Sequence, residues 1–174
     1  MLSRKSLFGV LFFCLSLGLL AGYVNAAELF RVTKVIDGDT IVLEDGEHVR
    51  YIGMDTPEKG RPYYGEAKRE NERLVKGKTV KLEYDVGKTD RYGRTLAYVY
   101  VDEIFVNAEL VKDGYAVLLT VPPNVKHVDE FRALQEGARK GKRGIWGLAP
   151  SDSNSGTNSS VWDYILYRLK RIFK

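Results

Sequence analysis

Residues 31–58, RVTKVIDGDTIVLEDGEHVRYIGMDTPE, place Asp37, Asp39, Arg50, Asp55, Thr56 and Glu58 where hydrophobic runs should be turning over. A second arginine, Arg94, follows in DRYGR. Each piece alone has an ordinary structural meaning. Asp-Gly between β-rich runs is hairpin chemistry, MDTPE is an Asp-initiated turn or a Pro opening a short helix, and DRYGR is a charged turn. Taken in order, the set suits something charged. Carboxylate oxygens can hold a hard cation, and guanidiniums grip anionic oxygens in pairs while staying protonated at any working pH.

Such residues need a rigid support, and the sequence pattern supplies one. Short runs rich in Val, Ile and Tyr, separated by Gly and Asp turns, predict strands over 29–36, 39–44, 48–54, 79–85 and 96–101. Helix formers running to a glycine predict helices over 65–77 and 106–114. A third is predicted over 127–144, where Val128, Phe131, Leu134 and Ala138 share one face and Asp129 and Glu130 lie in the first turn. Five strands with inserted and trailing helices point to an α+β domain spanning 27–149: a small OB-fold barrel with about three helices packed on it. The inventory alone also fits other α+β folds.

The ends of the chain read differently. Residues 1–26 carry Arg4 and Lys5, then an apolar run, then Val24-Asn25-Ala26, which describes a signal peptide cleaved after Ala26. The run is also long enough to serve as an uncleaved membrane anchor. The expected location is therefore outside the cytoplasm, secreted or periplasmic, with membrane association as the alternative. The only cysteine, Cys14, falls in this leader, so a mature chain has no disulfides and no thiol chemistry. Residues 150–160 have linker composition, and 161–174 form a basic amphipathic helix candidate with Trp162, Ile165, Leu166, Leu169, Ile172 and Phe173 on one face. That helix suits a membrane surface, a partner groove or the domain's own surface. The net charge of +4 belongs to the two ends. The central part is close to neutral, so any handling of phosphate there depends on a few placed side chains.

The blocks VIDGDTIVL, RYIGMDTPE, DRYGRTLAYVYV and VNAELVKDGYA, in that order within about 29–147, resemble the staphylococcal nuclease, or thermonuclease, family. The resemblance implies an OB-fold barrel and a calcium-dependent phosphodiesterase. It implies cleavage of DNA and RNA on the 5′ side of the phosphate, leaving 3′-phosphates. It also implies Asp39 and Asp55 as calcium carboxylates, Thr56 as a ligand through its backbone carbonyl, Glu58 as general base, and Arg50 and Arg94 as phosphate-binding arginines. Asp37 is a near neighbour that orients water. Whether Glu58 removes the proton or mainly organises water and loops stays open. Two carboxylates and a carbonyl would leave much of the ion's shell to water and substrate, which implies weak binding, about 10⁻⁴ to 10⁻³ M.

The chain also departs from the family pattern. The segment from Asp39 to Arg50 is short, and GYAVLLTVPPN places Leu119, Thr120 and Pro122 where the family has nucleotide-contacting tyrosines. Tyr92, Tyr63 and Tyr64 are the replacements to consider, set against simple surface packing. The two histidines, His48 and His127, have no cysteine partner in the mature chain and do not suggest zinc. Trp146 reads as a core plug after the last helix. No small-molecule cofactor is expected, the partners are DNA and RNA, and a monomer is expected. The rival from another class is a non-catalytic OB-fold module that binds nucleic acid or peptide, tethered to a membrane through its tail.

Overall fold

The structure is a computed structural model, and it describes residues 28–148. The leader, the linker and the tail helix candidate lie outside the described residues. Three strands open the domain: β1 (Leu29–Val35), β2 (Thr40–Leu43) and β3 (His48–Tyr51). Val32, Val35, Ile41, Leu43, Val49 and Tyr51 are buried in one core. The β1–β2 register shifts between Val32 and Lys34, leaving Thr33 as an extra residue. Its hydroxyl contacts the carbonyls of Val42 and Leu43 at 3.2 and 3.1 Å. Such a bulge bends and twists the strand, which lets a short ribbon curl far enough to close.

Closure comes from two later strands, β5 (Thr79–Glu83) and β6 (Thr95–Val101). The hydrogen-bonded order is β3-β2-β1-β5-β6, and β3 also pairs with β6 in parallel, through Val49↔Thr95, Arg50↔Leu96 and Tyr51↔Ala97. The result is a closed five-stranded barrel of the OB kind. Short strands extend it: β4 (Met54–Asp55) pairs with β8 (Val117–Leu118), and β7 (Ile104–Phe105) pairs with β6.

The predicted strand over 48–54 is divided into β3 and β4. Gly53 has φ 80°, and a Cβ there would lie 2.4 Å from the Phe131 ring. Both conditions favour glycine, and the backbone turn breaks the strand. This break aims Asp55 at the end of β3 instead of continuing along it.

The helices are α1 (Tyr64–Val75), α2 (Val106–Lys112) and α3 (Val128–Lys140), the last two shorter than the pattern suggests. Ala67, Asn71, Leu74 and Val75 form the buried face of α1. Phe131 on α3 packs with Ile52, Tyr98 and Ala108 in a second cluster outside the barrel. Buried Asn107 on α2 donates to the Ile52 carbonyl at 3.0 Å and accepts the Val99 amide at 2.9 Å, joining the end of β3 to β6. A 3-10 turn, Gly144–Gly147, follows α3. Its plug is Ile145, only 2% exposed, not Trp146. The Trp146 ring is half-buried and takes the Arg139 guanidinium at 5.3 Å.

Candidate active site

The turn between β1 and β2 carries Asp37, Gly38 and Asp39. It is closed by the Ile36 amide donating to the Thr40 carbonyl at 2.9 Å and by the Asp39 amide donating to the Asp37 carboxylate at 3.2 Å. Thr40 pairs across the ladder with Arg50 on β3, which brings the first carboxylates beside the first arginine. The Arg50 guanidinium bridges two carboxylates: Nη1 lies 2.5 Å from Asp39 Oδ1, and Nη2 lies 2.8 Å from Asp55 Oδ1. The Thr56 amide and hydroxyl both donate to Asp39 Oδ2 at 2.8 Å. Asp39, Arg50, Asp55 and Thr56 are all buried. The polar cluster is therefore built into the barrel end and does not lie loose on its surface.

Approach within this turn is close. A Cβ on Gly38 would meet Thr56 Oγ1 at 2.7 Å and its Cβ and Cγ2 at 2.8 Å, so the turn lies flat against Thr56. On the other side, buried Asn71 of α1 donates to the Asp37 carbonyl at 3.0 Å.

Charge is unbalanced in this corner, with Asp37, Asp39 and Asp55 set against Arg50. Burial, then the neighbouring Asp39 charge, pushes the Asp37 carboxyl up to about 6. Burial works on Asp39 in the same direction. The Arg50 charge and the Thr56 hydrogen bonds outweigh it and hold Asp39 below the usual carboxylate value. Hard oxygen donors with surplus negative charge fit a divalent cation. Among the described residues no three or more acidic, His or Cys groups form a ready-made metal cage. Any ion here would rely on Asp39 and Asp55, with water and substrate completing its shell.

Arg94 lines the same opening from the residue just before β6. Asp90 fixes it: the carboxylate accepts Nε and Nη2 at 2.7 Å through Oδ2, and the Tyr92 and Arg94 amides at 2.8 and 3.0 Å through Oδ1. Glu58 is exposed, two residues beyond Thr56. A single open cavity of about 800 Å³ is lined by Asp37, Asp39, Arg50, Asp55, Thr56, Glu58 and Arg94 together. Thus all six residues predicted for the site converge on one opening. Tyr92 and Tyr64 also line it, whereas Tyr63 does not. Tyr92 is 66% exposed, with the Arg91 and Arg94 guanidiniums 4.9 and 5.6 Å from its ring centroid. Leu119, Val121, Pro122 and Pro123 line the cavity in the segment where the resemblance implies nucleotide-contacting tyrosines; Thr120 does not line it.

The profile of the family described as "Staphylococcal nuclease homologue" matches residues 48–147. A "Thermonuclease" of Staphylococcus hyicus is 41% identical over 136 residues, covering 72% of this chain and 80% of that protein. The chain belongs to the staphylococcal nuclease family. "Endonuclease YncB" of Bacillus subtilis (strain 168) is 41% identical over 150 residues, 79% of this chain and 71% of that relative. A second "Thermonuclease", from Staphylococcus intermedius, is 41% identical over 128 residues, 68% of this chain and 76% of its own length. The family membership agrees with the barrel and with the order of the motif blocks.

Asn71, Asp90 and Asn124 are not among the residues predicted for the site, yet each holds one of its elements by hydrogen bonds. Asn71 carried a usable signal. It falls four residues after Ala67 and three before Leu74, on the buried stripe of α1 where a polar side chain needs a partner.

Proposed function

We propose that the protein is an exported, calcium-dependent nuclease that hydrolyses DNA and RNA, with Arg50, Glu58 and Arg94 as catalytic residues and Asp39, Asp55 and the Thr56 carbonyl as metal ligands. The observation that carries this reading is the convergence of two guanidiniums, the buried carboxylates and Glu58 on one open cavity. Similarity to proteins named thermonuclease and endonuclease supports the same reaction class.

Calcium bound by the carboxylates would supply positive charge against the phosphate and lower the repulsion met by an incoming nucleophile. The remaining work belongs to the side chains. Arg50 is held in place by Asp39 and Asp55, so its planar fork is oriented before substrate arrives. Arg94 is held in the same manner by Asp90. Charge accumulating on the phosphate oxygens in the transition state meets both donors, worth roughly 10² to 10³ each in rate. Glu58 takes a proton from water as its oxygen bonds to phosphorus. The bond from phosphorus to the 5′ oxygen breaks, that oxygen takes a proton from solvent, and the phosphate stays on the 3′ side. Placement outside the cytoplasm rests on the positively charged, apolar leader ending at Val24-Asn25-Ala26.

Digestion of plasmid DNA and of RNA by residues 27–174, with calcium and then with chelator, tests the reading. The expected result is cleavage that stops on chelation, and a Glu58→Gln variant that folds as the parent does but cleaves about 10² to 10⁴ times more slowly. A folded parent that leaves both polymers intact in millimolar calcium overturns it.

A further inference from the structure

The side chain of Asn71 is fully buried on α1, and both ends of its amide are committed. Its Oδ1 accepts the Tyr51 hydroxyl at 2.9 Å, and its Nδ2 donates to the Asp37 backbone carbonyl at 3.0 Å. A phenol hydroxyl can donate and a carbonyl can only accept, so a single orientation of the amide satisfies both neighbours. Tyr51 follows Arg50 on β3, and its own amide donates to the Asp39 carbonyl at 2.9 Å. Asn71 thus joins α1, β3 and the Asp37–Asp39 turn through one planar group.

We propose that the Tyr51–Asn71 pair is a positioning device that presets the Asp39 turn for cation binding. This inference rests on the proposed function, since it concerns the same carboxylates. Thr56 supports the turn from one side, where Gly38 leaves no gap, and Asn71 anchors it from the other. With both supports present, Asp39 stays where its carboxylate faces Arg50 and Asp55. With Asn71 removed, the Asp37 carbonyl loses its buried donor and the turn can rotate toward water. Groups that orient metal ligands without touching the ion typically contribute 10- to 100-fold in metal affinity.

The test compares the parent with Asn71→Leu, which keeps approximate volume but neither hydrogen bond, and with Tyr51→Phe, which leaves the Asp37 contact but unpins the amide. Calcium affinity is measured by calorimetry, and amide hydrogen exchange at Asp39 and Tyr51 is measured without metal. Asn71→Leu should bind calcium roughly 10- to 100-fold more weakly and regain most cleavage activity at saturating calcium. Tyr51→Phe should shift affinity in the same direction by about threefold, and both variants should exchange faster at Asp39. A folded Asn71→Leu protein with parental calcium affinity and parental exchange at Asp39 overturns the proposal. If Asn71→Leu does not fold, Tyr51→Phe decides it by the same two measurements. A parent that binds no calcium refutes the presetting for a cation together with the metal assignment; if it binds calcium but leaves nucleic acid intact, the nuclease reading fails while the positioning role is still judged by affinity and exchange.

Discussion

The side-chain amide of Asn124 closes a two-way hydrogen bond on the backbone of Gly87: Oδ1 accepts the Gly87 amide at 2.7 Å, and Nδ2 donates to the Gly87 carbonyl at 2.8 Å. The two residues are 37 apart in the chain, and both line the cavity. Gly87 leads along the chain to Asp90, Tyr92 and Arg94, and Asn124 follows Leu119, Val121, Pro122 and Pro123, all of them cavity-lining residues. Asn124 is 6% exposed, so water does not readily replace either bond. Asn124→Ala should therefore destabilise the fold by about 1–3 kcal/mol and let the Arg94 wall drift from the carboxylates. Steady-state kinetics should show kcat/KM falling about tenfold, mostly through KM, because substrate grip is lost before chemistry is. Asn124→Asp keeps the acceptor for the Gly87 amide but sets a second carboxylate oxygen against the Gly87 carbonyl, so it should be no milder than Asn124→Ala. An unchanged KM in a well-folded Asn124→Ala protein counts against the clamp.

The two arginines should separate when stability and activity are measured on the same variants. Arg50 is buried and compensates two buried carboxylates, so Arg50→Met leaves their charges unpaired and should cost about 3–5 kcal/mol. Calcium should restore part of that loss. Arg94 and Asp90 are both only partly buried and Arg94→Lys keeps the positive charge beside the carboxylate, so it should cost under about 1 kcal/mol. Both substitutions should slow cleavage by roughly 10² or more, since neither a methionine nor a lysine can reproduce the planar fork at a phosphate. Urea denaturation with and without calcium, paired with cleavage rates, checks this; equal stability losses at the two positions would contradict the burial argument.

Gly38→Ala examines the contact beneath the Asp37–Asp39 turn, proposed above to hold calcium. The added methyl would stand 2.8 Å from Thr56 Cβ and Cγ2, and Thr56 has little freedom because its amide and hydroxyl hold Asp39. Overpacking of this kind costs about 1–3 kcal/mol. Activity should fall further than stability alone explains, because the displaced group carries Asp39. Thermal denaturation and calcium dependence of cleavage measure the two effects separately.

The make-up of the candidate site was legible in the sequence because the residues that line the cavity together sit at turns in an ordered set of short motifs. Asp39, Arg50, Asp55 and Glu58 lie within twenty residues of one another along β2, β3 and β4, so local register alone brings most of them together. The strands were legible for a similar reason, as alternating Val, Ile and Tyr mark the barrel interior. What local pattern could not reveal is long-range. The parallel β3–β6 pairing that brings Arg94 to the other four depends on barrel closure, not on any periodicity. The break at Gly53 depends on the Phe131 ring arriving from α3. Asn71 stands out only as a polar residue on the buried stripe of a predicted helix, and Asn124 as a loop residue; neither pattern names the partners, which lie 34 and 37 residues away.

The last prediction concerns acid stability, away from the cavity. Glu83 at the end of β5 accepts Lys126 Nζ at 2.7 Å, approaches His127 Nε2 at 3.0 Å, and accepts the Tyr100 hydroxyl at 2.9 Å. Burial opposes its charge, but the hydrogen bonds from Lys126, His127 and Tyr100 outweigh that and pull it down from 4.5 to about 2. Because the folded value lies below the ordinary one, this carboxylate stabilises the fold fully above about 4.5 and loses that contribution as pH falls toward 2. Glu83→Gln should therefore be less stable than the parent at neutral pH, and the gap should close between those two values. Glu130 and Asp85 face the same cluster through His127 and Lys126, and both remain in the variant, so their own titration affects parent and variant alike. Urea midpoints of both proteins at about pH 7, 4 and 2.5 decide the matter. A gap that stays constant across that range would show that the lost stability is packing and not the charge of Glu83.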